Sequence, residues 1–370
     1  MRRPLVSRPS DIRRNKGKKT HMTLNSPINI LSLFSGIGAP EKALSKLGID
    51  FNLVNYCEID KYASRAYSLI HKVPESKNLG DITKVDTSEI TDDIDLLFYG
   101  FPCTDISIVG DMKGFEDENG NLTRSGLFFE ALRIIQDTKP KYAIAENVKN
   151  LMSKSFEREL DIVLNSLGEA GYNNYCKILN AKDYGIPQSR ERVFIVSIRK
   201  DVDDFSFNFP KAEPLKILLR DLLEDDVDSK YYLKKTLSFF LRNSLKMEDK
   251  GNGFTFAPHI KRNATIARAI TTKAGSRMDD NFVIDIGDMP NIEFNSNLRI
   301  RMLTPRECFR LMGFDDRDVD VLIENGISNT QLYKMAGNSI VVDVLERLFE
   351  CLLLKKNEEP DLLSMCNAHP

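Results

Sequence analysis

Two reactive side chains follow apolar segments of this sequence, and their types suit covalent chemistry. Cys103 comes directly after Pro102, shortly beyond the apolar run 94–99, and Glu146 follows the apolar run 141–145. A thiolate is a nucleophile, and a carboxyl group beside it can donate or accept a proton. Position alone leaves other interpretations open, because buried cysteines are common in protein cores and a loop carboxylate often caps a neighbouring helix.

A glycine turn and two acids indicate an adenosyl ligand. The turn 36–38 (Gly-Ile-Gly) follows an apolar strand, and glycines there let backbone N–H groups approach a ligand. Glu58 ends the next predicted strand, where it can accept hydrogen bonds from ribose hydroxyls, and Asp81 can accept one from an adenine amino group. A tight strand–helix connection and two solvated loop carboxylates would explain the same residues.

Two arginines lie in the segment 188–192 (Gln-Ser-Arg-Glu-Arg), which leads into an apolar run at 193–198. The period of two in a strand predicts that Arg190 and Arg192 point to the same face. Two guanidinium groups on one face suit a phosphate or a base carbonyl, although a salt-bridged strand edge accounts for them equally well.

The elements that must position these residues alternate along the chain. Strands are predicted at 28–33, 51–56, 94–99, 141–145 and 193–198, and helices at 62–70, 127–137 and 331–354. This alternation predicts an α/β fold with a Rossmann-like, mostly parallel sheet, in which ligands bind beyond the carboxyl ends of the strands.

A change of composition near residue 201 predicts a second, smaller and irregular domain. Nine acids fall within 201–228, whereas 251–278 holds five bases and no acid. The resulting division is a leader at 1–22, a first domain at 23–204 and 316–357, a second domain at 205–315 and a tail at 358–370.

The chain has 370 residues, of which 42% are hydrophobic and 29% charged, so it is long enough for two domains and too apolar for a disordered protein. No apolar run approaches the length of a membrane span, and the six cysteines form no C-x-x-C pair. We therefore expect no membrane association, no metal site and no disulfide framework, and a reduced cytoplasmic protein.

The net charge of −2 hides two differently charged parts. Residues 1–22 carry a charge of +7, which leaves −9 for the remainder. We expect this leader to be a disordered remnant of cloning, and the alternative is a basic arm that binds phosphate. Unchanged affinity for nucleic acid after deletion of residues 2–21 would exclude the arm.

Six segments occur in an order that resembles the DNA (cytosine-5)-methyltransferases of bacterial or phage type. The resemblance covers about 28–355, and each segment is weak alone, whereas six in order are specific. The segments are 33–38 (Leu-Phe-Ser-Gly-Ile-Gly), 100–103 (Gly-Phe-Pro-Cys), 146–148 (Glu-Asn-Val), 188–192 (Gln-Ser-Arg-Glu-Arg), 301–307 (Arg-Met-Leu-Thr-Pro-Arg-Glu) and 336–339 (Ala-Gly-Asn-Ser).

This resemblance implies methyl transfer from S-adenosylmethionine to C5 of cytosine, with S-adenosylhomocysteine as the second product. Cys103 matches the nucleophile that adds to C6, and Glu146 the residue that contacts N3 and the exocyclic amine. Arg190 is then expected to contact the cytosine O2, and Arg192 to support that site. The implied cofactor residues are Phe34, Ser35, Gly36, Gly38, Glu58, Ile59, Asp81, Ile82, Pro102, Asn338 and Ser339.

The implied substrate is double-stranded DNA, whose target base must leave the stack to be reached. The segment 104–125 is expected to close behind the flipped base, with Ser107 on a phosphate, and the domain at 205–315 to recognise the target sequence. The basic side chains of that domain that we expect to bind DNA are Lys261, Arg262, Arg268, Lys273 and Arg277. We expect a monomer that forms no stable complex with any cognate restriction endonuclease.

Two positions depart from the family pattern, since Thr104 stands where Gln is frequent and Ala39 where Gly is common. Neither change removes a reacting group. The alternatives are a tRNA cytosine-5 methyltransferase of the same fold, a catalytically inactive DNA-binding homologue, and a Rossmann dehydrogenase, which would leave Cys103 and Glu146 unexplained.

Overall fold

The computed structural model describes residues 27–102, 125–233, 258–285 and 299–354. Cys103, Ser107, most of the segment 104–125, the leader and the tail lie outside these ranges.

Eleven strands are present in the described ranges. They are β1 (Ile28–Leu33), β2 (Phe51–Cys57), β3 (Leu96–Tyr99), β4 (Tyr142–Val148), β5 (Tyr172–Asn180), β6 (Gln188–Ser189), β7 (Glu191–Arg199), β8 (His259–Ile260), β9 (Ala267–Arg268), β10 (Phe282–Ile284) and β11 (Ile300–Met302).

Nine α-helices accompany the strands in the same ranges. They are α1 (Ala39–Leu47), α2 (Lys61–His71), α3 (Phe128–Thr138), α4 (Glu157–Glu169), α5 (Leu219–Leu222), α6 (Pro305–Leu311), α7 (Asp316–Glu324), α8 (Asn329–Asn338) and α9 (Val342–Leu353). The helical pattern at 331–354 therefore forms two helices, because the chain is extended at Ser339. None of the described helices is long and apolar enough to cross a membrane.

The chain divides into two compact units. The described part of the sheet unit is 27–102, 125–180, 191–212 and 342–354, and that of the second unit is 181–190, 213–233, 258–285 and 299–341. Residues 316–341, which the sequence assigns to the first domain, thus cluster with the second unit. The functional boundaries remain a prediction, because packing does not report what a segment recognises.

The sheet unit contains a six-stranded sheet of order β2-β1-β3-β4-β7-β5. Strands β1 to β4 pair in parallel, whereas β7 runs antiparallel to both β4 and β5. The expectation of an α/β fold with a mostly parallel sheet is confirmed. Strand β5 was not expected from the sequence.

A continuous apolar cluster fixes this sheet against its helices. It joins Leu33 and Tyr99 of the sheet to Ile134 of α3 and Val163 of α4, all fully buried. Helix α9 packs against α1, so the C-terminal helix completes the sheet unit. The second unit has its own three-stranded sheet of order β11-β10-β8 and the short parallel pair β6-β9.

Candidate active site

The parallel strands of the sheet unit end together at one edge. In their register Leu33 pairs with Cys57 and with Tyr99, and Tyr99 pairs with Ala145. The next residue along each strand is therefore Phe34, Glu58, Gly100 or Glu146, four positions in one row. Chemistry-bearing residues that are far apart in the sequence are brought to the carboxyl edge, where such sheets bind ligands.

The turn after β1 is held in left-handed backbone conformation. Phe34, Gly36 and Gly38 have φ angles of 51°, 55° and 76°. The Ser35 N–H donates to the Cys57 carbonyl at 3.0 Å, which ties the turn to the end of β2. A non-glycine residue with positive φ is unusual, so Phe34 marks a constrained position beside the candidate site.

The two glycines of this turn serve different purposes. A Cβ on Gly36 would meet no atom within 4 Å, so open space lies beside it. A Cβ on Gly38 would lie 2.2 Å from Nε2 of His71 and 2.9 Å from the Tyr67 ring. His71 also contacts the Ile37 carbonyl through Nε2 at 3.0 Å. Gly38 is therefore required by the packing of α2, and Gly36 by the backbone angle and the space next to it.

Glu58 is held by backbone groups on both sides. Its Oε2 accepts the Gly36 N–H at 2.8 Å, and its Oε1 accepts the Asp60 N–H at 2.8 Å. Asp60 in turn caps helix α2 by accepting from Tyr62 N and Ala63 N. A carboxylate held at this edge of the sheet has the acceptor chemistry that the vicinal hydroxyls of a ribose require.

The residues around Glu58 also suit an adenine ring. Ile59 is 75% exposed, which is high for a large apolar side chain and offers a surface for a flat ring. Asp81 accepts from Thr83 Oγ1 at 2.9 Å and from Thr83 N at 3.1 Å, and these hydrogen bonds lower its carboxyl pKa. Ile82 is buried in the core. The residues present therefore fit an adenosyl group at this edge.

Glu146 lies against Arg192 at the end of β4. Oε1 of Glu146 and Nε of Arg192 are 3.1 Å apart. The neighbouring Asn147 is buried and donates from Nδ2 to the Phe101 carbonyl at 3.2 Å, and its Oδ1 accepts the Val148 N–H. Sequence reasoning gave Asn147 no role, yet it ties the end of β4 to the backbone that precedes Cys103.

Arg190 is placed differently from Arg192. It is only 4% exposed, and it donates from Nη1 to Ile270 O at 2.9 Å and from Nη2 to Gly337 O at 3.0 Å and Ser339 O at 2.9 Å. The two guanidinium groups bind different partners. Arg190 lies between β6 and β7, outside both strands, so strand alternation does not relate it to Arg192, and the shared face stays a prediction.

The C-terminal end of α8 carries two further expected cofactor residues in the second unit. Asn338 is exposed. Ser339 is buried, and its carbonyl accepts a hydrogen bond from Nη2 of Arg190. A Cβ on Gly337 would lie 2.4 Å from the backbone of Thr271 and Thr272, so this helix end packs closely on that segment. Their contact with a cofactor remains a prediction.

The expected DNA-binding bases of the second unit fall into two groups. Lys261 donates to Glu224 O at 2.7 Å and lies 3.6 Å from Asp225, and Arg277 pairs with Asp279 at 2.9 Å. Arg268 is half-buried, and the exposed members of the set are Arg262 and Lys273. Acids outside the segment 251–278 thus partly neutralise it. No group of three or more His, Cys, Asp or Glu within the described ranges could hold a metal ion.

The α/β fold with this mostly parallel, Rossmann-like sheet is a methyltransferase fold, which two solved structures share. The Entamoeba histolytica methyltransferase EhMeth aligns with a TM-score of 0.70 and 20% identity, covering 90% of this chain and all of that one. The S. pombe Dnmt2 methyltransferase aligns with a TM-score of 0.63 and 23% identity, covering 88% and 98%.

The sequence comparisons give the family. The model of the C-5 cytosine-specific DNA methylase family matches residues 28–353, so this chain belongs to that family and is a DNA (cytosine-5-)-methyltransferase. Type II methyltransferase M2.ScrFI of Lactococcus lactis subsp. cremoris is 39% identical over 74% of this chain and 71% of that protein. Orphan methyltransferase M.SPRI of Bacillus phage SPR is 31% identical over 88% and 97%. The resemblance read from the six segments is confirmed, and membership implies the use of S-adenosylmethionine.

Proposed function

We propose that this enzyme methylates C5 of a cytosine in double-stranded DNA through a covalent bond between Cys103 and C6. The observation that supports the proposal most is the row formed by Phe34, Glu58, Gly100 and Glu146 at the carboxyl edge of the sheet. The glycine turn, the segment that leads into Cys103 and the Glu146 carboxyl group lie along this edge, which is where the proposed reaction needs a cofactor, a nucleophile and a proton donor.

Cys103 supplies the step that cytosine cannot perform alone, because its C5 is a poor nucleophile. The thiolate adds to C6, the new C–S bond sends the ring electron pair to C5, and C5 then takes the methyl group. S-adenosylmethionine supplies that methyl group in electrophilic form when it is bound. Loss of the C5 proton and departure of the thiolate restore the ring as 5-methylcytosine.

Glu146 and Arg192 hold the base during this addition. A carboxyl proton near N3 offsets the negative charge that develops when sulfur adds, and the same group orients the exocyclic amine. We assign the contact with the cytosine O2 to Arg192, because its guanidinium lies against Glu146. Arg190 becomes a positioning residue that binds the carbonyls at the end of α8.

Glu58, Asp81 and Ile59 hold the cofactor by its adenosyl part. Glu58 accepts from the ribose hydroxyls, Asp81 from the adenine amine, and the exposed Ile59 lies against the ring. Gly36 leaves the space that a ligand at this turn requires.

Access to C5 requires the target base to leave the duplex, at a cost of about a few kcal/mol. Among the five predicted DNA-binding residues of the second unit, Arg262 and Lys273 are exposed, and we assign phosphate contacts to them. The enzyme acts as a cytoplasmic monomer, and any restriction endonuclease that shares its site does so without a stable complex.

Transfer of tritium from labelled S-adenosylmethionine to duplex DNA and to tRNA tests the proposal. We expect label in duplex DNA, and label in tRNA alone would overturn the DNA assignment. Bisulfite sequencing of DNA from cells that express the protein would then identify the target cytosine and its sequence context.

A further inference from the structure

Asn78 lies between the two loops that carry the acids of the cofactor site. It follows the short 3-10 turn Glu75–Lys77 and precedes Gly80 and Asp81. Its backbone lies beside the end of β2, where Tyr56 and Asn78 form a parallel bridge. Nothing in the sequence pattern marks this asparagine as functional.

The side-chain amide of Asn78 makes four hydrogen bonds. Oδ1 accepts the Glu58 N–H at 2.9 Å and the Gly80 N–H at 3.0 Å. Nδ2 donates to the Glu58 carbonyl at 2.9 Å and to Ser64 Oγ at 2.9 Å. An amide has two N–H donors and two carbonyl lone pairs, so its whole capacity is used.

These four bonds connect three separate pieces of chain. Glu58 lies in the loop after β2, Ser64 lies in α2, and Gly80 lies next to Asp81. Cys57 adds a second connection, because its S–H donates to the Gly80 carbonyl at 3.1 Å. The loop of Glu58 and the loop of Asp81 are therefore joined through one side chain that both donates and accepts.

We propose that Asn78 is a positioning residue for the cofactor and sets the separation between the carboxylates of Glu58 and Asp81. This inference rests on the proposed adenosyl site. An adenosyl group has a fixed distance between its ribose hydroxyls and its adenine amine, so two acids bind it together only when their spacing matches. Asn78 contributes this spacing without touching the ligand.

Two substitutions test the proposal. Asn78→Asp keeps the acceptor atoms and the shape but loses both donors, and Asn78→Ala removes all four bonds. For both variants we expect the dissociation constant of S-adenosylhomocysteine, measured by calorimetry, and the KM for S-adenosylmethionine to rise about tenfold. The kcat at saturating cofactor and the KM for DNA should stay within about twofold of wild type.

Asn52→Ala is the matched control. Asn52 lies near the start of β2 and donates one amide hydrogen bond to Oδ1 of Asn29 in β1 at 3.3 Å. It contacts neither acid loop in the described contacts, so its loss should leave cofactor affinity unchanged. Thermal unfolding of all three variants will show whether they are folded at the assay temperature.

A double-mutant cycle with Glu58→Ala separates positioning from general weakening. If Asn78 acts through Glu58, the effect of Asn78→Ala on S-adenosylhomocysteine affinity should shrink to less than about threefold in the Glu58→Ala background. Wild-type affinity in Asn78→Asp and Asn78→Ala, or equal losses of cofactor and DNA affinity, would overturn the role of Asn78 while the enzyme's function stands. Failure of the wild-type protein to bind S-adenosylhomocysteine would overturn the proposed site, and the role of Asn78 with it.

Discussion

The carboxylate of Glu146 and the guanidinium of Arg192 form an ion pair between the antiparallel strands β4 and β7, 3.1 Å from Oε1 to Nε. Arg192 lies opposite Val148 in the register, so Glu146 is its diagonal neighbour on the same face. The side chains are 13% and 22% exposed, which leaves the pair accessible at the end of the strand. A nucleobase bound here would contact one acidic and one basic side chain, which orient each other through the ion pair.

Replacement of Arg192 should impair chemistry more than cofactor binding. We expect Arg192→Gln to lower kcat on duplex DNA by about a hundredfold or more, because a charged donor to the base is lost. The affinity for S-adenosylhomocysteine should stay near that of wild type. Lys141→Gln, which breaks the exposed 2.6 Å pair with Asp95 beside the start of β4, is the control and should retain full activity.

Cys103→Ser should abolish methylation while leaving cofactor binding nearly intact. A serine hydroxyl is a much weaker nucleophile than a thiolate and will not add to C6. Steady-state methylation of duplex DNA and calorimetry with S-adenosylhomocysteine measure the two effects separately. Full activity in this variant would contradict covalent catalysis by Cys103.

The two glycines of the turn after β1 should respond differently to alanine. Gly38→Ala places a Cβ against His71 and Tyr67 at positive φ, so we expect a loss of about 2–4 kcal/mol in the free energy of unfolding. Gly36→Ala meets no atom and should cost about 1 kcal/mol, from backbone strain alone.

The affinity for S-adenosylhomocysteine should also distinguish Gly36→Ala from Gly38→Ala. The Cβ of Gly36→Ala enters the space proposed for the ligand, so S-adenosylhomocysteine should bind more weakly even where the protein is fully folded. Urea unfolding and calorimetry measure both quantities. Equal destabilisation of the two variants with unchanged affinity would show that neither glycine borders the cofactor.

Arg301 should be essential for the stability of the second unit. It is fully buried, donates to both carboxylate oxygens of the buried Glu307 at 2.8 and 2.9 Å, and contacts Asp285 at 2.9 Å. Arg301→Met leaves Glu307 as a buried charge without its partner, and we expect a loss of about 3–5 kcal/mol. Lys230→Gln breaks an exposed pair with Asp228 in the same unit, 3.5 Å from Nζ to Oδ2, and should change the free energy of unfolding by about 0.5 kcal/mol or less.

Folding stability should fall at alkaline pH. Burial, with the nearby carboxylates of Glu58 and Asp81, raises the pKa of Cys57 to about 12, against about 8.5 in an unfolded chain. The folded state therefore binds this proton more tightly, and the stabilisation is fully present below about pH 8.5 and is lost as pH rises towards 12. Burial also raises the pKa of Tyr67 and Tyr99, which adds to the same trend.

Urea unfolding between pH 8 and pH 10.5 measures this dependence. Cys57→Val removes one of the groups that must ionise, so the fall in stability of this variant should be shallower than that of wild type. Parallel curves for the two proteins would exclude a contribution from Cys57.

The sequence predicted the parallel part of the sheet well, because each strand there is a short apolar run between helices. It did not predict the strand Tyr172–Asn180, whose polar residues Asn173, Asn174 and Lys177 interrupt the apolar pattern. The antiparallel direction of Glu191–Arg199 was also not predicted, since apolar periodicity carries no information on strand direction.

The sequence by itself determined the family, the α/β fold and the edge of the sheet where the chemistry-bearing residues collect. These follow from local patterns, namely apolar runs, glycine turns and the residue that ends each strand. Only the tertiary structure placed Arg192 against Glu146, gave Arg190 its partners at residues 270, 337 and 339, and joined Asn78 to the backbone of Glu58. Unlike the local bond between Gly80 and Asn78, these contacts join residues distant in the chain, and their approach depends on strand order and packing, which periodicity along the sequence does not encode.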